Sequence, residues 1–140
     1  AREHGLQAVQ ADMHDMAVIP DNSVDGLFCC HTLEHSPAPY IALREFERVL
    51  KADGWLVVVV PERDGLAGLK WRIGEFVKHL FCPSVETMIY LMRKAGFRLD
   101  WYREVPLWDE RLAAPAYYHQ VYCGRKGREK HQCRIEETPG

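Results

Sequence analysis

Long apolar runs are missing from this sequence. The longest, Trp55 to Pro61, falls far short of the roughly twenty residues that a helix needs to cross a bilayer, which excludes a transmembrane helix. An excess of one charge is missing too: 18 Lys and Arg stand against 20 Asp and Glu, a formal net charge of -2. No global basic field exists to hold nucleic acid or an anionic membrane non-specifically. Cysteine is sparse and unpaired in pattern. Cys29, Cys30, Cys82, Cys123 and Cys133 are odd in number and contain no CxxC, which fits reduced thiols and a cytoplasmic protein better than a disulfide framework or a structural zinc cluster. No basic segment followed by an apolar one opens the sequence, and no lipidation signal closes it.

What is present suits one globular core. A chain of 140 residues with 47% hydrophobic and 27% charged residues buries about two-thirds of its unfolded surface, enough for a single domain, expected over residues 1–124 with a polar, frayed tail at 125–140. Leu6 to Ala11 reads as a short strand ending at Asp12, and Pro20-Asp21-Asn22-Ser23 as a turn. Val24 to Cys30 is nearly continuous in apolar residues, the mark of a strand covered on both faces. From Pro39 to Lys51, Ala42, Phe46, Val49 and Leu50 fall at helical spacing opposite a charged face, and Asp53-Gly54 reads as the helix stop. Trp55 to Val60, ended by Pro61, is the strongest strand, so strand, helix and strand form a βαβ unit.

Glu62 to Pro83 reads as a partly helical lid or linker. Ser84 offers an N-cap to a helix whose Val85, Met88, Ile89 and Met92 share a face and whose stop is Gly96. Phe97 to Glu104 and Ala116 to Gly124 read as consecutive strands separated by an excursion from Pro106 to Pro115. The class is therefore α/β with a final hairpin-like pair.

His31-Thr32-Leu33-Glu34-His35 matches H-x-x-E-H, in which two histidines one helical turn apart hold zinc and the Glu activates water. Pro37 and Pro39 limit any helix here to about one turn, which counts against a zinc hydrolase. The plainer alternative is a strand-to-helix turn that Glu34 and His35 merely cap.

Several segments in order carry a resemblance. They are Ala11-Asp12-Met13-His14-Asp15-Met16, then Ile19-Pro20-Asp21-Asn22-Ser23-Val24-Asp25, then Leu33-Glu34-His35, then Leu43 through Val57, and finally His79-Leu80-Phe81, Ser84 and Arg93-Lys94-Ala95-Gly96-Phe97. In this order and spacing they resemble the class I S-adenosylmethionine-dependent methyltransferases of the type 11 kind, over about Leu6 to Gly124. The resemblance implies a Rossmann-like sheet, methyl transfer from S-adenosylmethionine to a small-molecule acceptor, and a site along the strand ends. Asp12 would accept a hydrogen bond from the adenine amine, the amide of Met13 would meet the ring, and Cys30 would contact the cofactor. An Asx-turn at Asp12 and a buried structural thiol at Cys30 are the plain alternatives.

Related O-methyltransferases carry E-x-x-E-H at this place and hold a divalent ion there. Here Glu34 and His35 would be the metal ligands and His31 replaces the first Glu. His31 or His35 is also the candidate general base, and Trp71, Phe76 and His79 are candidates for an acceptor wall.

The family's glycine-rich loop between first strand and first helix has no counterpart. Gly65-Leu66-Ala67-Gly68 and Gly124-Arg125-Lys126-Gly127 are the nearest clusters, and neither stands in a βαβ unit. The sequence looks like the later part of a domain whose strand order is 3-2-1-4-5-7-6, with strand 7 antiparallel, and covers its strands 3 to 7. Such a part would expose an edge of Val24 to Cys30, a template for a homodimer. An inactive interaction or oligomerisation module is accordingly the alternative to an enzyme.

Overall fold

The structure is a computed structural model that describes residues 5, 7–61, 80–109 and 114–127. Four strands form one sheet: β1 (Val24–Cys30), β2 (Leu50–Pro61), β3 (Phe97–Asp109) and β4 (Ala114–Lys126), in the order β1-β2-β4-β3. β1 and β2 are parallel, while β4 runs antiparallel to both β2 and β3. This is the 4-5-7-6 portion of the order implied by the resemblance, with the last strand antiparallel as expected.

The βαβ unit forms where the apolar spacing puts it. α1 (Pro39–Val49) starts with proline at a position where a missing amide costs nothing, and buries Ala42, Leu43, Phe46 and Val49. Its end differs from expectation. Asp53-Gly54 is not the helix stop: Leu50 turns to extended geometry while its amide still donates to the Phe46 carbonyl, and β2 begins there. The glycine serves a bulge instead. Between the pairs Val24↔Leu50 and Gly26↔Trp55 β2 holds extra residues, with Asp53 at φ 57°. A Cβ on Gly54 would lie 2.8 Å from the Lys51 carbonyl oxygen, so this fold-back needs glycine.

α2 (Val85–Ala95) follows its sequence signals closely. The Ser84 side chain accepts from the Thr87 amide, Gly96 adopts φ 107° as the C-terminal cap, and Met88, Met92 and Ala95 are buried. With Leu33, Leu56, Val58, Val60, Phe97 and Tyr122 they form the core between the helices and the sheet.

Two further expectations are corrected. Within the Pro106–Pro115 excursion the described residues, Pro106 to Asp109 and Ala114 to Pro115, are strand: the β3–β4 ladder continues through Pro106↔Tyr118, Trp108↔Pro115 and Asp109↔Ala114. Pro106 lies on the edge strand, and Pro115 lies on β4 past the last pairing with β2, Pro61↔His119. Neither proline therefore breaks a ladder shared by two neighbours. Residues 7–11 are not a strand either, because no strand among the described residues pairs with them, and Val9 stays exposed. The outer edge of β1 likewise carries no neighbour among the described residues. Most of Glu62 to Pro83, with Trp71, Phe76 and His79, lies outside the described residues, as does the tail past 127. Among the described residues no helix is long and apolar enough to cross a membrane.

Candidate functional site

Parallel strands deliver their chemistry at their C-terminal ends, and β1 ends in a sharp turn. The His31 amide donates to the Val59 carbonyl at 3.0 Å, the last rung towards β2, and His31 itself adopts φ 49°. That left-handed conformation is uncommon for a residue with a side chain. It redirects the chain into a 3-10 turn, Leu33–His35, whose Leu33 plugs the core.

The turn also buries Glu34, which is 1% exposed, and among the described residues neither of its carboxylate oxygens has a hydrogen-bond partner. His31 Nδ1 stands 3.4 Å from Glu34 Oε1 and His35 Nε2 stands 3.9 Å from it, both on half-exposed rings. The Glu34 carbonyl accepts from the amides of Leu80 at 2.8 Å and Phe81 at 2.9 Å, pinning the chain that returns to α2.

His119 on β4 completes the group. Its ring meets that of His31 edge to face at a centroid distance of 4.6 Å. Burial, followed by the neighbouring His31, holds the His119 imidazole below the ordinary histidine range. The unfolded chain therefore takes up this proton first. Acidification below the ordinary value, near 6.5, is expected to destabilise the fold progressively until the lower folded value is passed. Thermal unfolding between pH 7.5 and 5 checks this, with a flatter profile expected for His119→Gln.

Asp12 and Met13 sit on a separate loop. Asp12 opens a turn closed by the Asp15 amide on its carbonyl, and Met13 is half-buried against the core. The Asx geometry at Asp12 is realised. Oδ1 accepts from the His14 amide at 2.9 Å and pairs with His14 Nδ1 at 2.6 Å, bonds that hold this exposed carboxyl below its usual range. His14 Nε2 lies 2.7 Å from Ser36 Oγ, which joins this loop to the turn carrying Glu34 and His35. Cys30 is exposed at the end of β1, whereas Cys29 is buried and its thiol is pushed up to about 11.

The structure thus brings His31, Glu34 and His35 together, and places Asp12 beside them through His14. Among the described residues no group of three His, Cys, Asp or Glu is arranged to hold a metal ion. Sequence reasoning missed His119, His14 and Ser36 as site residues. No local motif signals His119, whose position follows only from the register of β4 on β2.

Comparison with known proteins agrees with this geometry. The family model described as a methyltransferase domain matches residues 1–58. A 2.20 Å structure from Thermotoga maritima, titled a SAM-dependent methyltransferase and possible histamine N-methyltransferase, superposes with TM-score 0.73 at 23% identity, covering 89% of this chain and 66% of that one. The Burkholderia thailandensis 1,6-didemethyltoxoflavin-N1-methyltransferase, solved with 1,6-didemethyltoxoflavin and S-adenosylhomocysteine, superposes with TM-score 0.64 at 20% identity, covering 85% of this chain and 50% of that one. Among curated sequences, the uncharacterized protein YafS of Escherichia coli (strain K12) is 37% identical over 93 residues, 66% of this chain. The chain spans 36% of the length of that relative. Sheet order and these superpositions together define the class of fold: the chain has the Rossmann-like α/β fold seen in solved S-adenosylmethionine-dependent methyltransferases, and its residues 1–58 match the methyltransferase-domain model.

Proposed function

We propose that this chain takes part in methyl transfer from S-adenosylmethionine to a small-molecule acceptor, with Asp12 and Met13 on the adenine side, Cys30 against the cofactor and His31 as general base. The observation that carries the reading is the 4-5-7-6 sheet with His31 and buried Glu34 at the end of β1. The residues present fit the cofactor's adenine end. Asp12 is an exposed acceptor-only group with one oxygen left outside its Asx-turn, beside the half-buried Met13. When bound, the cofactor supplies an electrophilic methyl group displaced in line, for which the protein mainly provides alignment.

The chain's own contribution is proton handling. Glu34 faces Nδ1 of His31, which leaves Nε2 to take the acceptor's proton as its lone pair bonds to the methyl carbon. A separation of 3.4 Å is long for the orienting bond, as is common before substrate arrives. His35, half-exposed on the same turn, is the second candidate base. A divalent ion on Glu34 and His35 is less favoured than this proton role, since two donors do not make a metal site. The free cysteines fit a cytoplasmic setting.

Calorimetric titration with S-adenosylmethionine and S-adenosylhomocysteine tests the reading. Micromolar binding is expected, weakened about tenfold or more by Asp12→Ala. No heat from a folded sample would overturn the assignment of cofactor binding to this chain.

A further inference from the structure

The chain Asp12–His14–Ser36 has the connectivity of a Ser-His-Asp triad, yet it is not a nucleophile. Ser36 is 1% exposed, its Oγ accepts from the Ala38 amide at 3.1 Å, and its own amide donates to the Leu33 carbonyl. The Ser36 hydroxyl does not face solvent, and the amides of Ser36 and Ala38 are already bonded. The same bonds make a strut.

Proton bookkeeping fixes its direction. The Asp12 carboxylate only accepts, so His14 donates from Nδ1. In the neutral ring that leaves Nε2 as the acceptor, so the Ser36 hydroxyl, which accepts from Ala38 with one lone pair, donates to Nε2. Imidazole suits this position because its two nitrogens face apart in one rigid plane and take opposite roles. The Asx bond from the His14 amide closes the Asp12 turn but does not fix that turn relative to anything else. The ring does. Further along the same loop, the Met16 amide donates to Glu45 Oε2 at 2.9 Å and its carbonyl accepts from Arg48 at 2.9 Å, so the loop is held at both ends.

We propose that His14 is a positioning residue: it ties the Asp12 loop to the turn bearing Glu34 and His35, and so presents the second carboxylate oxygen of Asp12 at a fixed place relative to His31. The adenine-reading and proton-accepting groups then share one rigid frame. This inference rests on the cofactor role given to Asp12 above, and the test separates the two.

The experiment compares wild type, His14→Phe, Ser36→Ala, their double variant and His14→Asn. Calorimetry with S-adenosylhomocysteine gives the affinity, and nitrogen-15 NMR gives the His14 tautomer and the amide exchange of residues 13–16. His14→Phe and Ser36→Ala are each expected to weaken binding about tenfold, with the double variant no worse than either alone. His14→Asn, which keeps a donor near Asp12 but cannot reach Ser36, should fall between. Wild-type affinity in both single variants would overturn the strut and leave the cofactor reading standing. If wild type itself binds nothing, the cofactor reading falls and the strut is judged by exchange. Faster exchange at residues 13–16 in Ser36→Ala, with wild-type His14 protonated at Nδ1, supports it, and unchanged exchange overturns it.

Discussion

Replacing Arg48 by methionine is expected to lower the stability of the fold, and by more than truncation of an ordinary surface arginine. The guanidinium holds five acceptor atoms of four residues, on the loop from Met16 to Asp21 and on its own helix at Glu45. Its Nη2 donates to the Met16 carbonyl and to Glu45 Oε2, both at 2.9 Å, and its Nη1 donates to the Ile19 carbonyl at 3.0 Å and to Asp21. Nε completes the fork on Glu45 Oε1 at 3.0 Å. Since the Asn22 amide also donates to the Arg48 carbonyl, nearly the whole loop that follows Asp12 is fastened to one helical residue. Methionine keeps the aliphatic volume but leaves those carbonyls and Glu45 without their donor, and the Met16 amide bond to Glu45 then loses its brace. The same pair depresses the Glu45 carboxyl, first through the Arg48 hydrogen bond, so its contribution is complete above the ordinary carboxylate range and is lost as pH falls through the lowered value. Lysine is expected to recover little, because an ammonium cannot reproduce the planar fork. Urea unfolding of the two variants at pH 7 decides the matter. An unchanged urea midpoint for the methionine variant would show that the bonds are replaced by water at no net cost.

Arg48 also shows how much could be read beforehand. Its place on the polar face of α1 follows from helical spacing, but its partners on a distant loop do not. The same division runs through the molecule. β1, α1, β2 and α2 are legible because each carries its own apolar run or period, and in α2 Ser84 and Gly96 act as their residue types predict. Elements that depend on a neighbour are not legible in this way. Residues 7–11 have strand composition but no pairing strand among the described residues, and the Pro106–Pro115 stretch has turn composition but a ladder that edge position permits. Asp53-Gly54 carries a helix-stop signal that the fold spends on a bulge. At the site, the H-x-x-E-H string marks a turn whose geometry is not that of a helix face. His31 and Glu34 do come together, but across a left-handed residue and a 3-10 turn rather than along a helix face, and His119 joins them from a strand that no motif connects to them.

The exchange of Glu34 for glutamine is expected to stabilise the protein while removing most of the methyl transfer proposed for it, and the opposed signs make it the sharpest test of the site. A buried polar group without a hydrogen bond costs about 1–3 kcal/mol, and both Glu34 oxygens are in that state among the described residues. Glutamine has the same shape, is easier to bury, and can donate from its amide to His31 Nδ1. An increase of about 1–2 kcal/mol is therefore expected from thermal or denaturant unfolding. The same donated bond is what disables the base. In the proposed mechanism the Glu34 carboxylate, 3.4 Å from Nδ1 and not hydrogen-bonded to it here, draws the His31 proton to Nδ1 once substrate closes that gap and leaves Nε2 open to the acceptor. An amide donor reverses the tautomer and closes Nε2. Loss of a positioned base costs about 10²–10⁴ in rate, so on the proposed function kcat should fall by that factor while the affinity for S-adenosylhomocysteine, assigned there to the Asp12 loop, stays near wild type. A turn that Glu34 merely caps gives a different pattern. Its loss would lower stability and leave the rate per folded molecule unchanged, and that outcome would return His31 and Glu34 to the architecture of the turn. Strain at His31 points to the first result, because a left-handed histidine above an unsatisfied buried carboxylate costs the fold twice at one place, and folding alone gives no reason to keep both.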